Sequence, residues 1–119
     1  MTEKNQLQDY IIEGIQERKG KKITLVDLSN IENAATRNFI ICQGTSTMHV
    51  SSIADSIREY VQEETGMKPF NYDGYQNSQW IVIDYGTIYV HIFLPEYREL
   101  YNLEELWNDA TITEVPDLD

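Results

Sequence analysis

The chain has 119 residues, 20 of them acidic and 9 basic, for a formal charge of −11 and a pI near 4.4. That length suits one domain, able to bury about two-thirds of the surface its unfolded form exposes, enough for one sheet covered by helices. The charge argues against nucleic-acid binding through a basic patch and disfavours an anionic membrane, whereas a basic protein partner or plain solubility both suit it.

The N-terminus, Met1 to Gln6, lacks the basic-then-apolar pattern of a signal peptide, and no apolar run approaches the roughly 18 residues of a membrane span. The cytoplasm is the expected location. Residues 3–19 predict a helix, with Leu7, Ile11 and Ile15 at four-residue spacing and Ile12 widening the stripe. Gly20 is the expected left-handed residue that ends it. A strand over Lys22–Leu28 follows, then a polar stretch, Ser29 to Thr36, with room for one helical turn.

The next strand, Phe39 to Gln43, carries the single cysteine, Cys42. An intrachain disulfide is therefore impossible, and the apolar run Phe39-Ile40-Ile41-Cys42 predicts a buried thiol and not a nucleophile. Ser46 or Thr45 caps a helix that runs to about Thr65, with Val50, Ile53, Ala54, Ile57 and Val61 as its apolar stripe. Gly66 closes it and Pro69 forbids continuation. Residues 67–78 read as a loop with a short edge strand.

Gln79 to Leu94 predict a hairpin turning at Tyr85-Gly86, which pairs Asp84 with Thr87 and Ile83 with Ile88. Alternation places Ile81, Ile83, Ile88, Val90 and Ile92 on an aliphatic face to be covered by helices. Trp80, Val82, Asp84, Tyr89, His91 and Phe93 share the other face. Such a polar-aromatic mixture is either a second core layer with internally bonded polar atoms or a surface kept for a partner. Pro95 to Tyr101 turn the chain away from the sheet, and Asn102 caps a short helix, Leu103–Trp107. Residues 1–110 are expected to form one domain, with 111–119, acidic and containing Pro116, as a loose tail.

Motifs for chemistry are scarce. There is no phosphate-binding loop, no Gly-x-Gly-x-x-Gly and no paired-cysteine metal motif, so no cofactor and no metal are expected. His49 and His91 lie on different elements. Gly44-Thr45-Ser46, between a strand and a helix, could cradle a phosphate, which leaves a residual nucleotide-binding enzyme as the alternative function. The adjacent acidic pair that such an enzyme needs for divalent ions is missing, because Asp73 and Asp84 stand alone.

Three groups of residues carry a family resemblance. They are Phe39 to Ser46 with His49-Val50 and Ile53-Ala54; Trp80 to Gly86 with Val90 to Phe93; and Arg98, Tyr101, Leu103-Glu104 and Leu106-Trp107. In their order and spacing they resemble the ribosomal silencing factor family, also called Iojap-related proteins, over roughly residues 5–110. The resemblance implies an α/β fold with a mixed sheet of about five strands covered by helices, similar to nucleotidyltransferases but without their catalytic carboxylates. It implies no catalysis, but binding to the large ribosomal subunit through its fourteenth protein. Docking there blocks the small subunit and lowers translation under nutrient limitation, and relatives often form homodimers. Carried over by position, it points to Trp80, Asp84, Tyr85, His91, Arg98 and Tyr101 as partner-binding residues. Trp80 is the expected anchor, one whose truncation weakens binding and leaves the fold intact, and Asp84 an acceptor for a basic or backbone donor. Asn38, Thr87 and Asp73 depart from the family's usual residues.

Overall fold

Ten segments take regular structure among residues 3–29, 38–107 and 109–118, the part of the chain that the computed structural model describes. In chain order they are α1 (Glu3–Glu17), β1 (Lys21–Asp27), β2 (Asn38–Gln43), α2 (Thr47–Thr65), β3 (Asn71–Asp73), β4 (Trp80–Asp84), β5 (Ile88–Phe93), α3 (Pro95–Tyr101), α4 (Leu103–Leu106) and β6 (Thr111–Val115). The strands form one mixed sheet in the order β3-β4-β5-β2-β1-β6, in which β2 and β5 run parallel and the other neighbours antiparallel. Most of the polar stretch expected between β1 and β2, residues 30–37, lies outside the described residues.

The sixth strand corrects the expected loose tail. Residues 111–115 pair with β1 in unbroken register, from Asp27 opposite Thr111 to Ile23 opposite Val115. Acidity and Pro116 suggested disorder, but Thr111, Ile112, Thr113 and Val115 are β-branched, and branching at Cβ favours extended backbone. Pro116 only ends the strand. Beyond it Asp117 Oδ1 accepts from the Lys22 N–H at 2.8 Å, which ties the segment down.

Helix α1 ends two residues earlier than expected, and its left-handed residue comes one position earlier. Lys19, not Gly20, takes the left-handed conformation, with φ 58°. The Gly20 N–H returns to the Ile15 carbonyl at 3.0 Å and the Lys19 N–H to that of Gln16 at 3.0 Å, the paired bonds of a Schellman cap. Glycine is needed at 20 for space, since a Cβ there would sit 2.4 Å from Ile15 Cγ2. Helix α2 follows its signals: Ser46 Oγ accepts from the His49 N–H at 3.0 Å, and Gly66 closes the helix at φ 76°.

Both long helices pack on one sheet face. Ile11 and Ile15 of α1 and Val50, Ile53, Ala54, Ile57 and Val61 of α2 are fully buried against Ile40, Cys42, Ile81, Ile83, Ile88, Val90 and Ile92. Burial at Cys42 pushes its thiol up to about 12, so it is inert near neutrality.

The hairpin register differs from the expected one by two positions. Asp84 faces Tyr89 and Ile83 faces Val90, and the Tyr85 N–H closes the turn on the Ile88 carbonyl at 2.9 Å. Gly86, at φ 87°, occupies the turn where a side chain would be strained. A slip of two leaves every side chain on its predicted face, because strand side chains alternate with period two. Pro95 to Tyr101, expected only to lead away from the sheet, form helix α3 with Pro95 in its first turn. Asn102 does not cap α4 with its side chain; it sits left-handed at φ 45° and joins the two short helices through backbone bonds.

Candidate functional site

The second sheet face holds both things the sequence allowed for it. Near α3 and α4 it is a core layer: Val26, Leu28, Ile41 and Phe93 are buried, and Phe39, Trp80, Tyr97, Leu103 and Trp107 pack against them. Trp80 stacks on Phe93 with ring centroids 5.0 Å apart and lies 4.7 Å from Tyr101. Phe39 meets His91 edge-on at 4.8 Å and Trp107 at 6.0 Å. Towards the hairpin tip, Val82, Asp84 and Tyr89 are only half-buried.

His91 is the polar centre of that layer. Trp80 Nε1–H donates to His91 Nδ1 at 3.1 Å, which assigns the ring's own proton to Nε2. Nε2 is buried and has no hydrogen-bond partner among the described residues. Burial lowers the His91 pKa from the ordinary 6.5 to about 4, so the ring is neutral near pH 7. Because the unfolded chain binds the proton more readily, stability is full above pH 6.5 and is lost as pH falls towards 4. The gap corresponds to about 3 kcal/mol. Urea unfolding between pH 4 and 7 should therefore show a flatter pH dependence for His91→Gln than for the unsubstituted chain, and parallel profiles would remove His91 as the source.

Arg98 is expected among the contact residues but is turned inward. Its Nε–H and Nη2 donate to Glu104 Oε2 at 3.1 and 2.7 Å. Nη2 also reaches Thr24 Oγ1 at 2.8 Å, while Nη1 donates to the Lys22 carbonyl at 2.7 Å and to Gln43 Oε1 at 3.2 Å. These bonds engage every donor of the guanidinium. Lys22 presents its carbonyl from a left-handed residue, φ 55°, where the β1–β2 register shifts. The clamp joins the α3–α4 segment to β1 and β2. An open groove of about 590 Å³ borders it, lined by Lys22 as well as Arg98, and the Arg98 guanidinium has no donor left to offer a ligand there.

Tyr85 is also turned inward, 3% exposed in the aliphatic core, with a hydroxyl that has no partner among the described residues. Burial raises its pKa well above the usual phenol value. Asp84 Oδ1 accepts from the Gly86 N–H at 2.7 Å, so the expected backbone donor is the hairpin's own. Tyr101 is half exposed beside Trp80. The sequence reading missed Leu100 and Leu106, which are 71% and 69% exposed on α3 and α4. The available signal was two leucines among acids on helices too short to bury both. Exposed Glu96, Glu99 and Glu105 flank them.

At the Gly44-Thr45-Ser46 turn several backbone donors are engaged within the chain, the Gly44 N–H with the Phe93 carbonyl at 3.0 Å among them. The Thr45 N–H donates to His49 Nδ1 at 2.9 Å, and the His49 N–H to Ser46 Oγ. The remaining ring proton, on Nε2, then points at the Arg18 carbonyl 2.6 Å away. The imidazole is thus held between the turn and the end of α1, and the turn gives the nucleotide-binding alternative no support. Among the described residues no group of three or more His, Cys, Asp or Glu is placed to hold a metal ion, and no helix is long and apolar enough to cross a membrane.

Comparison with known proteins gives concordant matches. The family model described as "Ribosomal silencing factor during starvation" matches residues 1–119. A protein of Halalkalibacterium halodurans named "Ribosomal silencing factor RsfS" is 31% identical over 110 residues, 92% of each chain. The mouse "Mitochondrial assembly of ribosomal large subunit protein 1" is 28% identical over 101 residues, which cover 83% of this chain and 44% of the mouse protein. A crystal structure of a Chromobacterium violaceum protein superposes with a TM-score of 0.83 at 28% identity, covering 90% of this chain and 88% of that one.

Proposed function

The chain belongs to the ribosomal silencing factor family, and from that membership we propose that it binds the large ribosomal subunit through the fourteenth protein of that subunit. Bound there, in the cytoplasm, it excludes the small subunit and lowers translation when nutrients are limiting. It acts by occupying a surface and not by catalysis, and a homodimer in the absence of ribosomes is part of the same reading.

The observation that carries the proposal is an exposed apolar segment in an acidic setting. Leu100, Tyr101 and Leu106 stand out from two short helices that also carry Glu96, Glu99 and Glu105. Apolar side chains at the centre of an acidic surface suit a basic protein, with charge setting the association rate and the apolar contacts the lifetime. The mouse relative's name also contains the large subunit. Trp80, Asp84, His91 and Tyr101 remain residues of the proposed docking region, with Trp80 in ring contact with both His91 and Tyr101.

Pelleting with purified subunits tests the proposal. The chain should sediment with free large subunits and not with joined ribosomes; equal loading on both would overturn it. Leu100→Asp should leave thermal stability within about 0.5 kcal/mol, because the side chain is exposed. The same change should weaken large-subunit binding about tenfold or more.

A further inference from the structure

The two edges of the sheet are finished differently. At one edge β3 is only three residues long, and next to it Arg58 lies 3.9 Å over the Tyr72 ring. At the other edge β6 is five residues long, four of them β-branched, with neither proline nor lysine among them. Thr111, Ile112, Thr113 and Glu114 are exposed. Strand β1 covers one side of β6, and among the described residues no strand covers the other. Proteins ordinarily blunt such an edge with short strands, prolines, lysines or bulges, because its open ladder templates another strand.

The charge around the edge selects what can pair with it. From residue 99 to 119 the chain carries Glu99, Glu104, Glu105, Asp109, Glu114, Asp117 and Asp119, and no Lys, Arg or His. Lys21, Lys22 and Arg98 lie beside the strand, with Arg98 paired to Glu104, so acids stay in excess there. A second copy would bring the same charges together, which opposes self-pairing. The cross-strand register adds detail: Ile112 and Glu114 lie opposite Val26 and Thr24 and so share one face, two positions apart. An incoming strand that matches them carries an apolar residue beside Ile112 and a cation beside Glu114.

We propose that β6 is a docking edge that accepts an extended segment of a basic protein as a seventh strand, with an apolar residue beside Ile112 and a Lys or Arg beside Glu114. The inference deepens the ribosomal reading, on which it rests for the identity of its partner, and places main-chain pairing next to the side-chain contacts of α3 and α4.

Two adjacent prolines separate folding from docking. Successive residues of an edge strand aim their N–H groups to opposite sides, so of Ile112→Pro and Thr113→Pro one removes a bond to β1 and lowers the melting temperature. The other removes an outward donor and should melt as the unsubstituted chain does. That second variant should lose at least tenfold in affinity for purified large subunits. Backbone amides at 111–115 of the unsubstituted chain should exchange at least tenfold more slowly on the subunit. Should both prolines prove unstable, Glu114→Lys should give the same loss in affinity while keeping the fold. Normal affinity in the stable variant would overturn the docking edge and leave the ribosomal reading standing. An eight-residue peptide of the repeat Val-Thr-Lys-Thr, which places Val and Lys two positions apart on one face, probes the edge without ribosomes: it should slow exchange at 111–115, and no slowing would also overturn the proposal. Failure of the unsubstituted chain to bind subunits would instead overturn the ribosomal reading and the partner named here. A dimer of the chain alone that the stable proline dissolves would assign the edge to self-pairing and overturn the basic partner.

Discussion

Arg98→Ala should destabilise the protein by about 3 kcal/mol, in the range measured when one member of a buried ion pair is removed. The Arg98 side chain is 11% exposed and that of Glu104 26%, so removing the cation leaves a largely buried carboxylate with no counter-charge. It also leaves Gln43 Oε1 and Thr24 Oγ1 without the Arg98 donor, and the Lys22 carbonyl with only the 3.4 Å bond from the Thr24 hydroxyl. The expected loss is local before it is global: Tyr97, Leu103 and Trp107 come away from the sheet while the aliphatic layer between the long helices and the sheet persists. Denaturant titration read by tryptophan fluorescence would show an early transition from Trp107 ahead of the helical signal. Arg98→Lys should restore little, since one ammonium cannot reproduce a planar fork spanning four acceptor groups. A loss below about 1 kcal/mol would show that the clamp does not hold the segment. Because its donors are engaged, substitution of Arg98 should affect partner binding through the placement of α3 and α4, not through a lost contact.

Trp80→Ala should cost about 3 kcal/mol, at the lower end for truncating a packed aromatic because the ring is only half-buried. The ring contacts Phe93 and Tyr101, and its Nε1–H is the partner of His91 Nδ1. Trp80→Phe keeps most of the packing and removes that hydrogen bond, so it should cost about 1 kcal/mol. Equilibrium urea unfolding measures both, and equal losses in the two variants would mean that ring packing contributes nothing. The structure thus corrects the expectation that alanine at 80 would leave the fold intact. A loss of ribosome binding in that variant would mix folding with contact, and Leu100→Asp is the cleaner probe.

The aliphatic face was legible because strand alternation and helix periodicity report one event, burial against a common layer. Leu7, Ile11 and Ile15 and the α2 stripe were all assigned correctly from spacing. Even the hairpin, with its pairing wrong by two, sorted Ile81, Ile83, Ile88, Val90 and Ile92 onto the buried side. The other face was harder, since whether a mixed aromatic surface is core or interface depends on what covers it. What covers it is α3 and α4, seven and four residues long, too short for periodicity to register. Arg98 and Tyr85 illustrate the same limit. Their residue types suit an interface, and only the fold shows that the guanidinium meets Lys22, Thr24, Gln43 and Glu104 and that the phenol points at the helices. Strand β6 was missed because acidity dominated the reading of residues 111–119, although the branched residues in alternate and adjacent positions were the better guide.

The pairing of β6 with β1 has a consequence for synthesis. Ile23 and Val115 are partners although roughly 90 residues separate them. At about 5–20 residues per second, β1 waits on the order of 5 to 20 s for the strand that completes its ladder. Until then Ile23, Leu25 and their neighbours present a bare border to the translating cell, and the Lys22 N–H lacks the Asp117 carboxylate that later receives it. The nascent chain is most prone to misassociate in that interval, and the arrival of β6 ends it.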